Sequence, residues 1–303
     1  MRRRVIAGSR GSKLALLQTD LVLERLRRAL PDSEFALKTI TAEGDRSREP
    51  LSRIGGRGVF VKELESALLA RQIDLAVHSA KDLPGEMTAG LVLAAVPERE
   101  DPRDALVTRG RLPLAALPDG ARMGTGSPRR AAQLLALRPD LRIEEIRGNV
   151  ETRVRKGTQG DLGGVVLAAA GLHRLGMNDV IAAYLEPTVF LPAVGQAALA
   201  VQTRAGDEET LSVVRAINHE PSLQEVVAER SFLRALGGGC QTPLACLGRV
   251  SDGRLSLAGM VASADGQRVL RARVEGAADD AEALGRALAG DLLAQGAREL
   301  LVD

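Results

Sequence analysis

The chain has 303 residues, 45% of them hydrophobic and 26% charged, and 41 cationic against 39 acidic side chains leave a net charge of +2. This composition fits a globular protein of two or three packed units and excludes a disordered chain or a uniformly basic, nucleic-acid-coating one. Two cysteines cannot make a disulfide framework, and with three histidines they are poor material for a four-ligand zinc site. Aromatic residues are 2%, so the core must be aliphatic and base-stacking platforms are nearly absent. No run approaches the roughly 18 apolar residues of a membrane span. The opening MRRRVIAGSRGS is too briefly apolar for a signal peptide, which points to a reducing cytoplasmic setting.

In chain order, RVIAG (Arg4 to Gly8) is a short apolar run ending in glycine, and Lys13 to Leu30 has helical spacing that stops before Pro31. Phe35 to Thr41 alternates like a strand. Glu43 to Gly58 is polar and glycine-containing, the composition of a loop that acts as a lid. Val59 to Gln72 is a second amphipathic helix, and Asp74 to His78 and Leu91 to Val96 are strands. This rhythm predicts a mainly parallel sheet with helices on both faces. The charged, proline-containing Pro97 to Leu106 reads as a crossing between domains. The rhythm then repeats. Ala121 to Ser127 leads into a helix from Pro128, Leu141 to Ile146 into one near Asn149, and Gly164 to Ala170 into GLHRLG. Phe190 to Ala198 reads as a second crossing and Ala198 to Thr203 as a strand returning to the first unit. From Pro221 come a helix to Leu236, a glycine loop, three β-like runs and a helix from about Asp280 to Leu301. The predicted fold class is α/β: two doubly wound lobes, 1–98 with 198–216 and 103–191, and an α+β domain over 220–303. Two such lobes joined by two crossings make a clamshell with the ligand expected in its cleft.

Charge is the strongest local signal. From Arg122 to Lys156 nine cations face four acids, so the window carries +5 and the rest of the chain −3. Ser127 and Pro128 read as N-cap and N1 of a helix that opens with Arg129 and Arg130. Arg147 precedes the helix capped near Asn149, and Arg153 lies on its first turns. Free N–H groups at helix starts together with guanidinium forks suit a carboxylate or phosphate. The competing reading is a solvated face in a chain whose cations are 36 Arg and 5 Lys. GSRGS offers a second anion site through Arg10 and Ser12, or a plain turn and N-cap. HSAKDLP sets Lys81 and Asp82 at the end of a strand, where parallel sheets place ligand-facing groups. Asp82 there is either a charge-stabilising or proton-transferring carboxylate, or half of a surface ion pair. In GGGCQTP three glycines clear side chains from around Cys240, which suits a nucleophile or an attachment point, a packed small residue or a flexible linker. Cys246, in PLACLG, fits core packing.

Taken together, the motifs SRGSKLALLQ, GGRGVFVKELESALL, DLAVHSAKDLP, EREDPRDAL, GTGSPRRAAQL, IRGNVETRV, AAAGLHRLG, LPAVGQAALA and AERSFLRALGGGCQTPLA resemble the porphobilinogen deaminase (hydroxymethylbilane synthase) family, nearly end to end and in order. The resemblance implies three domains, two of them like the lobes of periplasmic binding proteins. It also implies polymerisation of four porphobilinogen molecules to hydroxymethylbilane with loss of ammonia. A dipyrromethane cofactor would be held by a thioether on Cys240. Arg10, Ser12, Ser127, Arg129, Arg130, Arg147, Arg153 and Arg174 would bind the carboxylates of cofactor and substrate, and Asp82 would be the catalytic carboxylate, stabilising the cation left when ammonia departs. Lys81 and Gln196 would support the cleft, with Arg53, Arg57 and Phe60 at the lid. Departures from the family pattern are Arg53 and Arg57 where lysine is frequent, Gly126 where serine is, and Ala197 where glycine is. The expected protein is a monomer without metal, nucleic-acid or membrane partners. The rival class is a two-lobed small-anion-binding protein without catalysis.

Overall fold

The computed structural model describes residues 4–41, 61–237 and 242–301. The chain divides into two compact units, one drawn from 1–99 and 198–226, the other from 100–197 and 227–303.

In the first unit, β1 (Arg4–Ser9) leads into α1 (Lys13–Ala29), followed by β2 (Glu34–Thr39), α2 (Lys62–Leu69), β3 (Leu75–Ser79) and β4 (Leu91–Ala95). Val22, Leu23 and Leu26 of α1 recur at helical spacing and are buried against Val5 and Ala7 of β1. β5 (Asp104–Thr108), β6 (Arg122–Gly124), α3 (Pro128–Leu137), β7 (Arg142–Glu144), α4 (Val150–Gln159), β8 (Gly164–Ala168), α5 (Ala169–Arg174) and β9 (Ala183–Leu185) make the lobe of the second unit. The chain then supplies β10 (Leu199–Arg204) and α6 (Glu208–Arg215) to the first unit, and α7 (Glu220–Leu236) follows.

The two five-stranded sheets share one plan. Their orders are β2-β1-β3-β10-β4 and β7-β6-β8-β5-β9. In each, three parallel strands are followed by an antiparallel strand that comes from a crossing. The expected mainly parallel sheets are therefore mixed.

The predicted first crossing needs a larger correction. Pro97 to Leu106 is not all linker, because Asp104–Thr108 is a fully buried strand paired on both sides, to β8 and to β9. A strand buried on both faces shows no alternation, and the charges and prolines before it hid it. β9 and α6 also escaped the sequence reading. The N-cap of α6 is Asp207, whose carboxylate accepts from Thr210 N at 3.0 Å.

The C-terminal part is a separate antiparallel sheet, β11 (Leu244–Ser251), β12 (Arg254–Ala262) and β13 (Val269–Ala277), with α8 (Ala281–Ala294) and α9 (Arg298–Leu301). The last helix expected as one piece is broken at Gly296, φ +93°. Gly259 of β12 lets two helices approach the sheet, since a Cβ there would lie 2.8 Å from Leu288 and 3.1 Å from Phe232. Within the second unit, Ala132 of α3 shares an apolar cluster with Leu191, Ala245, Leu247, Met260 and Ala262, so lobe and C-terminal sheet have core in common.

Candidate functional site

In each unit the described site residues predicted from the sequence, Gln196 excepted, follow the C-terminal ends of parallel strands, the edge at which doubly wound folds hold ligands. In the first unit, β1 and β3 are parallel neighbours (Ala7 opposite Leu75, Gly8 opposite Ala76), so the turns after Ser9 and Ser79 lie at one edge. A side chain at Gly8 would meet Ile73 at 2.3 Å, which fixes glycine before this turn. Ser12 is the N-cap of α1, its hydroxyl accepting from Ala15 N at 3.3 Å, as the cap alternative for GSRGS anticipates. Arg10 is half-buried and near enough to His78 to act on its charge. A short 3-10 turn, Ala80–Asp82, follows β3 and is anchored by Ala80 N donating to Ala198 O at 2.9 Å. Lys81 and Asp82 are half-buried there. The Asp82 carboxylate has no ion pair or hydrogen bond among the described residues, so the surface ion pair weighed for it is absent among them.

Beneath this turn runs a buried polar chain that sequence reasoning missed. The Gln202 amide donates to Glu65 Oε1 (2.8 Å), which leaves Gln202 Oε1 facing His78 Nε2 at 3.0 Å. His78 must therefore carry its proton on Nε2. Glu65 Oε2 in turn accepts from the Thr88 hydroxyl. Burial pushes His78 from 6.5 down to about 4, against the hydrogen bond it donates to Gln202 and with the help of Arg10. The neutral imidazole's contribution to stability is thus complete above about pH 6.5 and is lost as pH falls towards 4, where the unfolded chain binds a proton that the folded one refuses. Between pH 7 and pH 5 we expect wild type to lose ~2 kcal/mol more than His78→Gln, as read by denaturant unfolding. Equal losses in the two proteins would contradict this.

In the second unit the same edge carries the arginines. Ser127 caps α3, accepting from Arg130 N at 3.4 Å, with Pro128 at N1, and Asn149 caps α4, accepting from Thr152 N at 2.9 Å. Both caps are where the sequence put them. Arg147 is half-buried and pairs with Glu145 at 3.3 Å. Arg153 Nε donates to Gly148 O at 2.8 Å, across a turn in which Gly148 has φ +115°.

Arg129 and Arg130 differ from the open forks expected of them. They are 4% and 6% exposed and close on Asp104, which is fully buried. Arg129 Nη1 reaches Asp104 Oδ2 at 2.7 Å and Leu191 O at 2.7 Å, and Arg130 Nε and Nη2 reach Asp104 Oδ1 at 2.9 and 2.7 Å. Burial works against the Asp104 charge, but the two guanidiniums outweigh it and hold the carboxyl well below its usual range. Burial also lowers the Arg129 pKa, which Asp104 partly restores. Arg129 Nε finds no acceptor among the described residues. The +5 window overlooked Asp104, which lies 25 residues before Arg129. Three of its cations pair with acids inside the window: Arg122 with Glu144, Arg138 with Asp140 and Arg147 with Glu145.

Gln196, which the resemblance sets to support the cleft, is fully buried, and its amide donates to Pro102 O (2.8 Å) and Asp104 Oδ1 (3.1 Å). Arg174 Nη2 donates to Ala197 O at 2.6 Å. Glu229, which the sequence did not flag, is buried and accepts from Gly195 N (2.6 Å) and Gly248 N (2.8 Å). The segment Gly195–Ala197 is thus held from three sides. Ala197 has φ +73°, a conformation that favours glycine. Ala197→Gly is expected to raise stability by about 1 kcal/mol in equilibrium unfolding, and a loss would contradict the strain.

Of the two cysteines, Cys246 is fully buried in β11, with its N–H donating to Pro192 O at 3.2 Å. Cys240, Arg53, Arg57 and Phe60 lie outside the described residues, as does the predicted lid loop from Glu43 to Gly58. No group of three or more metal-binding side chains occurs among the described residues, and none of their helices is long and apolar enough to cross a membrane. Taken unit by unit, these groups suit carboxylates and N–H donors. Cationic side chains beside capped helix starts suit anionic groups, and Asp82 is an acceptor without a protein donor among the described residues.

Two family models match the chain: "Porphobilinogen deaminase, dipyromethane cofactor binding domain" over residues 5–212 and "Porphobilinogen deaminase, C-terminal domain" over 223–294. The chain is 51% identical over 302 residues to the porphobilinogen deaminase of Desulforudis audaxviator, covering 99% of this chain and 98% of that one. It is 48% identical to that of Thermus thermophilus, covering 99% of each. Among solved structures, the periplasmic VFT2 domain of Bordetella pertussis BvgS is 18% identical, covers 71% of this chain and 86% of that one and has a TM-score of 0.42.

Proposed function

The chain belongs to the porphobilinogen deaminase family, and on that premise we propose how its residues divide the work. It is a transferase of tetrapyrrole synthesis that joins porphobilinogen units into hydroxymethylbilane on a dipyrromethane cofactor, releasing ammonia. The observation that carries this over a non-catalytic anion-binding protein is the match along nearly the whole chain to relatives of that one name.

The residue roles are our reading. Cys240 holds the cofactor through a thioether, and the burial of Cys246 supports the choice between the two sulfurs. When bound, the cofactor supplies the pyrrole carbon to which the first unit is joined. Asp82 accepts pyrrole N–H groups and, as a fixed anion, lowers the energy of the cationic pyrrole formed when the amino group of porphobilinogen's aminomethyl arm leaves as ammonia, its methylene carbon staying on the ring. Lys81 beside it meets a substrate carboxylate. Arg10, Ser12, Ser127, Arg147 and Arg153 meet the other carboxylates, with Arg129 and Arg130 contributing charge from the start of α3. Arg174 serves the segment ending at Ala197, and Arg53, Arg57 and Phe60 belong to the lid. The division into 1–98 with 198–216, 103–191 and 220–303 belongs to this reading, as does a monomer working in the cytoplasm on porphobilinogen, without nucleic-acid or membrane partners.

Ammonia counting tests it. The purified protein is expected to release one ammonia for each porphobilinogen consumed. Binding of porphobilinogen with no ammonia released would favour the anion-binding alternative.

A further inference from the structure

β5 runs antiparallel to β8, and its first residue, Asp104, is paired with Ala168, the last residue of β8. The missed strand therefore delivers a carboxylate to the edge where α3, α4 and α5 begin. There one fully buried anion receives two buried guanidiniums and the Gln196 amide, leaving a cluster of net charge +1 at the start of α3. A guanidinium has no reason to enter a protein interior without a counter-charge, so the carboxylate determines where both side chains rest. Each Asp104 oxygen is committed: Oδ2 to Arg129, Oδ1 to Arg130 and Gln196. Gln196 connects the cluster to the strained segment ending at Ala197.

We propose that Asp104 is a positioning residue for cofactor attachment: it aims Arg129 and Arg130 and lowers their combined charge to the single positive charge that one cofactor carboxylate neutralises. This rests on the reading of those two arginines as cofactor-binding. Removing the carboxylate would leave two buried like charges that repel one another, and the arginines would leave their positions.

The test is the fraction of purified protein that carries cofactor, read as added mass on the intact chain, together with unfolding midpoints. Asp104→Asn is expected to lower the loaded fraction about tenfold at a temperature where the variant is folded. Asp104→Glu, which keeps the charge, is expected to recover most of the loss. Leu106→Ala, a buried truncation on the same strand, controls for lost stability and is expected to load like wild type. Wild-type loading in Asp104→Asn, or equal loss in Leu106→Ala, overturns the proposal. Arg129→Gln and Arg130→Gln separate it from the reading beneath it. If both load normally, the arginines do not bind cofactor. If they load poorly while Asp104→Asn loads fully, Asp104 alone is excluded. Should Asp104→Asn fail to fold, the double variant Asp104→Asn, Arg130→Gln restores the +1 charge. It is expected to fold and to reach no higher a loaded fraction than Arg130→Gln, and wild-type loading in it would overturn the proposal.

Discussion

Asp82→Ala is expected to lower kcat by about 10²–10³-fold, the usual cost of removing one preorganised group that stabilises transition-state charge. Loss of ammonia from porphobilinogen creates positive charge on a pyrrole, and a carboxylate held beside it stabilises that charge more in the transition state than in the ground state. The effect therefore falls on kcat more than on KM. The geometry favours this role, since the half-buried carboxylate lies directly after β3 on a turn anchored by Ala80 and Ala198 and has no partner among the described residues. Asp82→Asn keeps the shape and one acceptor oxygen but not the charge, so it should stay close to Asp82→Ala in rate. Wild-type kcat in either variant would remove Asp82 from the mechanism. Intact mass is expected to show the cofactor still attached in Asp82→Ala, which separates a catalytic loss from a failure of priming.

Cys240→Ser is expected to reduce turnover to background. A thiolate is a strong carbon nucleophile near neutral pH, whereas a serine hydroxyl is not unless a base activates it. Without the sulfur no thioether forms, and the growing chain has no anchor. Cys246→Ala is the matching control. Its sulfur is sealed in β11, so the variant should lose some packing stability while keeping both cofactor and activity. Full activity in Cys240→Ser, or loss of cofactor in Cys246→Ala, would reverse the assignment of the two cysteines.

Much of this was legible before the structure. Val22, Leu23 and Leu26 announced α1 through helical spacing, and Ser127–Pro128 and Asn149 announced two helix starts through capping chemistry. What stayed hidden has a common cause, namely dependence on partners distant in sequence. β5 is buried on both faces and shows no alternation. Arg129 and Arg130 look like open anion forks in sequence because Asp104, on which they close, lies 25 residues before Arg129. Gln196, which the resemblance makes a support of the cleft, turns its amide inward to Pro102 and Asp104, and nothing local reveals those partners. His78 drew no notice beside Lys81 and Asp82, since its partner Gln202 is 124 residues away. Ala197 was marked only as a departure from glycine, and its φ of +73° supplies the physical reason glycine suits that position.

On the proposed function this chain is a covalently primed enzyme whose primer sits on the Cys240 sulfur. Mass spectrometry of the intact, active protein tests that most directly. The expected mass exceeds that of the 303-residue sequence by two linked pyrrole units, and the excess disappears in Cys240→Ser. An active preparation whose mass equals that of the bare chain would contradict the account.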